Sequence, residues 1–185
     1  MRTLILTSVF SLLGSVLFGQ TYDLIESDWY SDSNLLVQTN SAGLDSVAFL
    51  PLMNNCENLP FDTLEINSLE NFEGYSIWQL EDHGLDRVNR VIKVELSWLG
   101  CCEYIESYYF LYTDDCTIKQ LPMITNTACD FPEPYRDYIF PDEEHGERGV
   151  IKQVMVDYDE NGEAVDLLVE DLILWEENVF DGCRR

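Results

Sequence analysis

Apolar and polar positions alternate with a period of two along much of this chain, and helical periodicity is scarce. Ile92, Val94, Leu96 and Trp98 alternate with Lys93, Glu95 and Ser97, the pattern of a strand with one buried and one solvated face. Residues 104–113 are a run of aromatic and β-branched side chains that stops at Asp114 and Asp115. Residues 117–121 resume it before Pro122, which predicts a hairpin. Shorter strands are predicted over 34–39, 46–50, 61–67, 75–80 and 138–140, each bounded by Gly, Pro, Asn or Asp. Val154, Val156 and Tyr158 lead into Asp159-Glu160-Asn161-Gly162, where Asn161-Gly162 suits a type I′ turn, and an apolar run follows from Val165. A second hairpin is the reading there. Its rival is a C-terminal helix, because Val165, Leu168, Leu172, Trp175 and Val179 also fall at three- and four-residue spacing.

Residues 129–149 carry Pro132, Pro134 and Pro141 among several carboxylates, so they cannot form one regular element. They read as an irregular loop or a crossover between sheets. Many short strands predict a mainly β fold, an antiparallel sandwich or a partly closed barrel.

The start of the chain changes the picture of where that fold works. Residues 1–19 have the layout of a secretory signal peptide: Arg2, an apolar run from Leu4 to Leu13, and the small residue Gly19 before Gln20. The run is short and is broken by Thr7, Ser8, Ser11, Gly14 and Ser15, whereas a membrane span needs roughly 20 apolar residues. The first cysteine is Cys56, far from the cut, so no lipid anchor is expected there. The expected mature protein is a single acidic domain over 20–185, secreted or periplasmic, with no stable membrane insertion.

Charge narrows the partners. The chain has 35 acidic and 10 basic residues and a formal net charge of −25, which signal cleavage makes more negative by removing Arg2. Such a field repels phosphate backbones, so nucleic acid is excluded as a partner. Solvation in a salty medium, bound divalent cations or a cationic partner would each account for it. The 6 cysteines, Cys56, Cys101, Cys102, Cys116, Cys129 and Cys183, are an even number in an oxidising compartment and are expected to form disulfides. Adjacent Cys101 and Cys102 would each take a distant partner, since a bridge between neighbours is strained.

Few residues suggest chemistry. Asp157, Asp159, Asn161 and Gly162 match the first half of a calcium loop, whose alternating oxygens converge on the ion, but Leu168 stands where the bidentate Glu belongs. Calcium is the one cofactor to consider. Asp142, Glu143, Glu144 and His145 combine carboxylates with one of only 2 histidines, a set able to bind metal or move protons. The other histidine, His83, lies in a Glu81-Asp82-His83-Gly84 turn. No G-x-S-x-G elbow, H-E-x-x-H pair or glycine-rich phosphate loop occurs. Around Tyr108 and Tyr109 both faces of the strand carry rings, which suits core packing on two sides or a sugar-stacking platform on one.

Residues 24–30, Leu-Ile-Glu-Ser-Asp-Trp-Tyr, resemble the G-x-W first strand of lipocalin-like barrels, with Ser27 in the glycine position. The resemblance covers seven residues and implies an up-and-down barrel with a cavity for a small apolar ligand. The expected function is an exported, non-catalytic binding or interaction protein for a protein or glycan partner. The alternatives are a carboxylate-dependent, glycoside-type hydrolase and the lipocalin-like carrier.

Overall fold

In a computed structural model of the chain, residues 22–29, 36–39, 46–51, 63–66, 69–80, 82–129, 133–159 and 164–175 are described. Every regular element among them is a strand: β1 (Tyr22–Trp29), β2 (Leu36–Thr39), β3 (Ser46–Pro51), β4 (Thr63–Ile66), β5 (Phe72–Leu80), β6 (Val88–Leu99), β7 (Glu103–Thr113), β8 (Ile118–Gln120), β9 (Ile124–Ala128), β10 (Tyr135–Ile139), β11 (Val150–Tyr158) and β12 (Ala164–Leu174). All pairings between them are antiparallel.

The central sheet is six-stranded and runs β1-β5-β6-β7, with β8 and β9 sharing the far edge of β7. β8 pairs with Phe110 to Tyr112 and β9 with Glu103 to Ser107. Pro122 lies between them, has no N–H to give a ladder and interrupts what would otherwise be one strand. Two three-stranded sheets, β2-β3-β4 and β10-β11-β12, complete the described structure. The central sheet is not closed into a barrel; its edges are β1 on one side and β8 with β9 on the other. β1 pairs with β5, so the up-and-down barrel that the Leu24–Tyr30 resemblance implies is not what forms.

Period-two alternation explains how one sheet serves two cores. Ile92, Val94 and Leu96 of β6 join Phe110 and Tyr112 of β7, Tyr75 and Ile77 of β5, and Leu64 and Ile66 of β4. The opposite face puts Leu80, Val91, Tyr109 and Leu111 against Tyr138 of β10, Phe140 directly after it and Ile151 of β11. The rings of 104–113 are therefore mostly core on both sides. Lys93 was expected on a wet face of β6, yet it is only 6 % exposed, because the β10-β11-β12 sheet covers that face. Full burial of each large aliphatic side chain is worth about 1.5–3 kcal/mol.

The segment 164–174 is a strand, paired with β11 from Val150↔Leu174 to Tyr158↔Ala164. Tertiary pairing decided against the helical spacing there. Residues 160–163, including Asn161 and Gly162, lie outside the described residues. β12 is an edge strand and leaves Val165, Leu168, Val169, Leu172 and Leu174 exposed.

One disulfide is seen whole among the described residues, Cys102–Cys129, with a Cα–Cα distance of 4.6 Å. It closes the end of the β7-β9 ladder, one step beyond the Glu103↔Ala128 pair. Cys116 is disulfide-bonded as well. Cys101 departs from expectation: it is a free, exposed thiol in the tight Gly100–Cys102 turn of the β6-β7 hairpin. Cys102 and Cys129 flank the last β7-β9 pair, so the bridge falls to Cys102 and not to its neighbour. Cys56 and Cys183 lie outside the described residues.

Candidate functional site

Two polar constellations stand out, one sealed and one open. In the sealed one, Lys93 Nζ lies 3.0 Å from Glu95 Oε1 and 3.0 Å from Asp137 Oδ2. Glu95 also accepts from Trp78 Nε1 at 3.1 Å and from the Tyr135 hydroxyl at 3.1 Å. Asp137 accepts from the Tyr109 hydroxyl and, at 2.7 Å, from the Tyr138 N–H. Burial by itself would push the Lys93 ammonium down, but the Asp137 and Glu95 carboxylates outweigh it and hold it well above its ordinary value. Tyr135 is pushed up, mainly by burial, so its phenol stays protonated. A charged lysine is neither a base nor a nucleophile, and all four carboxylate oxygens are engaged. The cluster clamps β10 onto β6.

A second link fixes the same junction. The Asn126 amide of β9 donates to the Arg136 carbonyl at 2.9 Å and accepts from the Arg136 N–H at 2.7 Å, copying a strand pairing with one side chain. Arg136 Nε reaches across to Glu170 of β12 at 2.9 Å.

The open constellation lies on the other face of the central sheet. Trp98 of β6 stands opposite Tyr104 of β7, and Glu106 and Tyr108 follow on the same face at alternate positions. With Glu65 and Ile66 of β4 and Met123, they line an open cleft of about 490 Å³. Tyr104 is 39 % and Met123 43 % exposed. The Trp98 and Tyr104 ring centroids are 5.9 Å apart, and Phe72 backs Trp98 edge-on at 5.3 Å. The Tyr108 hydroxyl donates to Glu106 Oε2 at 2.7 Å, and the Tyr104 hydroxyl faces Glu106 Oε1 at 3.5 Å. Burial and Glu106 push both phenols up, so both stay protonated at neutral pH. Glu65 is exposed beside them on β4.

The residues singled out in sequence are distributed differently. Tyr108 lines the cleft. Tyr109 does not: its neighbouring position puts it on the opposite face, 0 % exposed and bonded to Asp137, so it is an interior residue. Asp142 abuts Gly84 so closely that a Cβ there would run into its carboxyl group, and it lies near His83; the Gly84 φ of 63° separately favours glycine. Glu143 caps its own turn, accepting from the Phe140 N–H at 2.6 Å. Glu144 and His145 are exposed, 3.9 Å apart. His145 also borders a smaller hollow of about 360 Å³ beside β12, where Lys152 is held by Glu147 and the His145 carbonyl. Asp157 sits in β11 opposite Asp166, and Asp159 follows the strand end. No group of three or more metal-binding side chains is found among the described residues.

The sequence reading missed Trp98, Tyr104, Glu106 and Glu65 as one site. Three of them were legible as a same-face set on neighbouring strands, since the β6-β7 turn fixes their register. Glu65 was not, because it arrives from a different sheet.

Compared with models of known families, with curated proteins and with solved structures, the chain matches none. What the structure defines is a class: antiparallel strands stacked in layers, held by a buried ion cluster and a disulfide, with an aromatic and acidic cleft on one face. No helix among the described residues is long and apolar enough to cross a membrane.

Proposed function

We propose that the chain is an exported, non-catalytic binding protein and that the Trp98–Tyr104–Tyr108 cleft is its recognition surface. The observation that carries this reading is the set of rings beside Glu65 and Glu106 in an open cleft, with Phe72 packed edge-on behind Trp98. Rigid aromatic surface offers contact area at little entropic cost. The signal-like 1–19 segment and the Cys102–Cys129 bridge support an oxidising destination.

The test is binding of the labelled mature chain to a glycan array and to an array of basic and acidic peptides, beside the Trp98→Ala and Tyr104→Ala variants. Retained spots that vanish in both variants support the proposal. Absence of any retained spot, or spots that both variants keep, overturns it.

A second reading is glycoside hydrolysis, favoured by Glu65 and Glu106 lining one cleft. It requires release of reducing sugar by the wild type and its loss in Glu65→Gln and Glu106→Gln. Against it, both Glu106 oxygens face phenolic hydroxyls, which suits a fixed acceptor better than a nucleophile.

A further inference from the structure

We infer that the ligand of this cleft is an organic cation, an alkylammonium or guanidinium group, either free or as the Lys or Arg side chain of a basic polypeptide. The inference rests on the cleft being the recognition surface and adds the chemical class of what it recognises.

The donor and acceptor balance of the lining is the main argument. Among the described residues the lining comprises Trp98, Tyr104, Tyr108, Glu65, Glu106, Ile66 and Met123, with two carboxylates and no Lys, Arg or His. The Tyr108 hydroxyl is committed to Glu106, and the Tyr104 hydroxyl is turned to the same carboxylate. The described lining therefore offers acceptors and ring faces and keeps few hydrogens to give. A sugar, whose hydroxyl and ring oxygens accept as well as its hydroxyls donate, would find its own acceptor oxygens poorly met. An ammonium or guanidinium group donates only, and it is attracted both by carboxylates and by the negative faces of indole and phenol rings.

Ring geometry agrees. Trp98 and Tyr104 are tilted at 58° with centroids 5.9 Å apart, so they form two walls of a corner instead of a flat stacking platform. A cation in such a corner meets more than one ring face, which is how aromatic cages hold alkylated ammonium groups. The same chemistry occurs elsewhere in this protein, where Lys93 Nζ sits 5.5 Å from the Tyr109 centroid and Lys119 Nζ 4.9 Å from the Trp175 centroid. The net charge of −25 would also draw cations toward the chain over several ångströms.

The experiment is an NMR titration of the folded mature chain, following the Trp98 indole N–H at fixed ionic strength. The probes are tetramethylammonium and butylammonium for free cations, Lys- and Arg-containing tetrapeptides for polypeptide side chains, 3,3-dimethylbutanol as the neutral match for shape, and cellotetraose. The expected result is a saturable Trp98 shift with the cations and none with the neutral alcohol. Glu65→Gln should weaken binding roughly fivefold, as loss of one exposed charge contact does, while Glu144→Gln, in the loop remote from the cleft, leaves it unchanged. Tyr104→Leu, at an exposed position, serves if Trp98 variants fail to fold. Tighter binding by tetrapeptides than by free ammonium assigns the source to a polypeptide, and the reverse to a small molecule. A saturable shift with cellotetraose alone overturns the cation class and leaves the cleft as the recognition surface. No shift with any probe, or equal weakening by Glu144→Gln, overturns the inference, and silence from every probe counts against the recognition surface as well.

Discussion

The Lys93 ammonium of β6 and the Asp137 carboxylate of β10 meet at 3.0 Å across the junction of two sheets, with Lys93 6 % and Asp137 5 % exposed. Their partners Glu95, Tyr109, Tyr135 and Trp78 satisfy the remaining oxygens and keep the pair from being a buried charge without compensation. Removing one member leaves the other uncompensated in the interior. Lys93→Met should therefore cost about 3–5 kcal/mol in urea unfolding. Adding Asp137→Leu to it should recover part of that loss, because the residues act as a unit. Equal, additive losses from the two substitutions would show that the pair is not the clamp described.

Alkaline pH tests the same cluster without mutation. Lys93, Tyr135 and Tyr158 all have raised values when folded, Tyr158 to about 12 and chiefly through burial. Each group therefore holds its proton more tightly folded than unfolded, where the ordinary values are about 10 for Tyr and about 10.4 for Lys. Their contribution is complete below about pH 10 and is lost as pH rises toward the folded values. The urea midpoint should hold steady from pH 8 to 9.5 and fall between pH 10 and 12, less steeply in Tyr158→Phe. A midpoint level through pH 12 would contradict the assignment.

His83 governs the acid side of the loop between β5 and β6. Its Nδ1 accepts from the Leu85 N–H at 3.1 Å, which only the neutral ring can do in this geometry. Burial lowers its pKa, opposed by Asp142 and Asp82. A depressed histidine contributes its stability above the unfolded value near 6.5 and loses it as pH falls through the folded one. His83→Asn, which can keep an acceptor, should flatten the change in thermal midpoint between pH 6.5 and 5. An unchanged slope in that variant would remove His83 from the account.

Cysteine chemistry separates two neighbours. Cys102 and Cys129 close a loop of sequence separation 27, for which the chain-entropy model gives about 3.5 kcal/mol. Cys102→Ser with Cys129→Ser should lose about that much, whereas Cys101→Ser should be nearly neutral. Mass mapping after alkylation without reductant or denaturant should find the label on Cys101 and not on Cys102. A label on Cys102 would reverse the assignment.

Strand β6 was readable because alternation over 92–98 matches a period of two, and the β7-β8 hairpin because the aromatic and β-branched run over 104–113 stops at Asp114 and Asp115 and resumes over 117–121. Strand β12 was harder: its spacing also fits a helix, and only pairing with β11 decides the matter. Strand β9 carries Thr125, Asn126 and Thr127, too polar to announce itself, and it exists because β7 is long enough to hold two partners on one edge. Lys93 and Glu95 looked like solvated residues for the same reason, since local pattern cannot say which sheet will arrive to cover them. In the site, Tyr108 was legible and Tyr109 was not separable from it without knowing that both faces are covered. Glu65 needed the docking of β4, a long-range event outside the reach of local pattern.

The most direct measurement is a crystal structure of residues 20–185 grown with tetramethylammonium, and separately with cellotetraose. Ligand density is expected in the corner between Trp98 and Tyr104 with Glu65 turned toward it, in the cation crystals first. Unoccupied clefts in both crystals, with either probe seated elsewhere on the molecule, would contradict it.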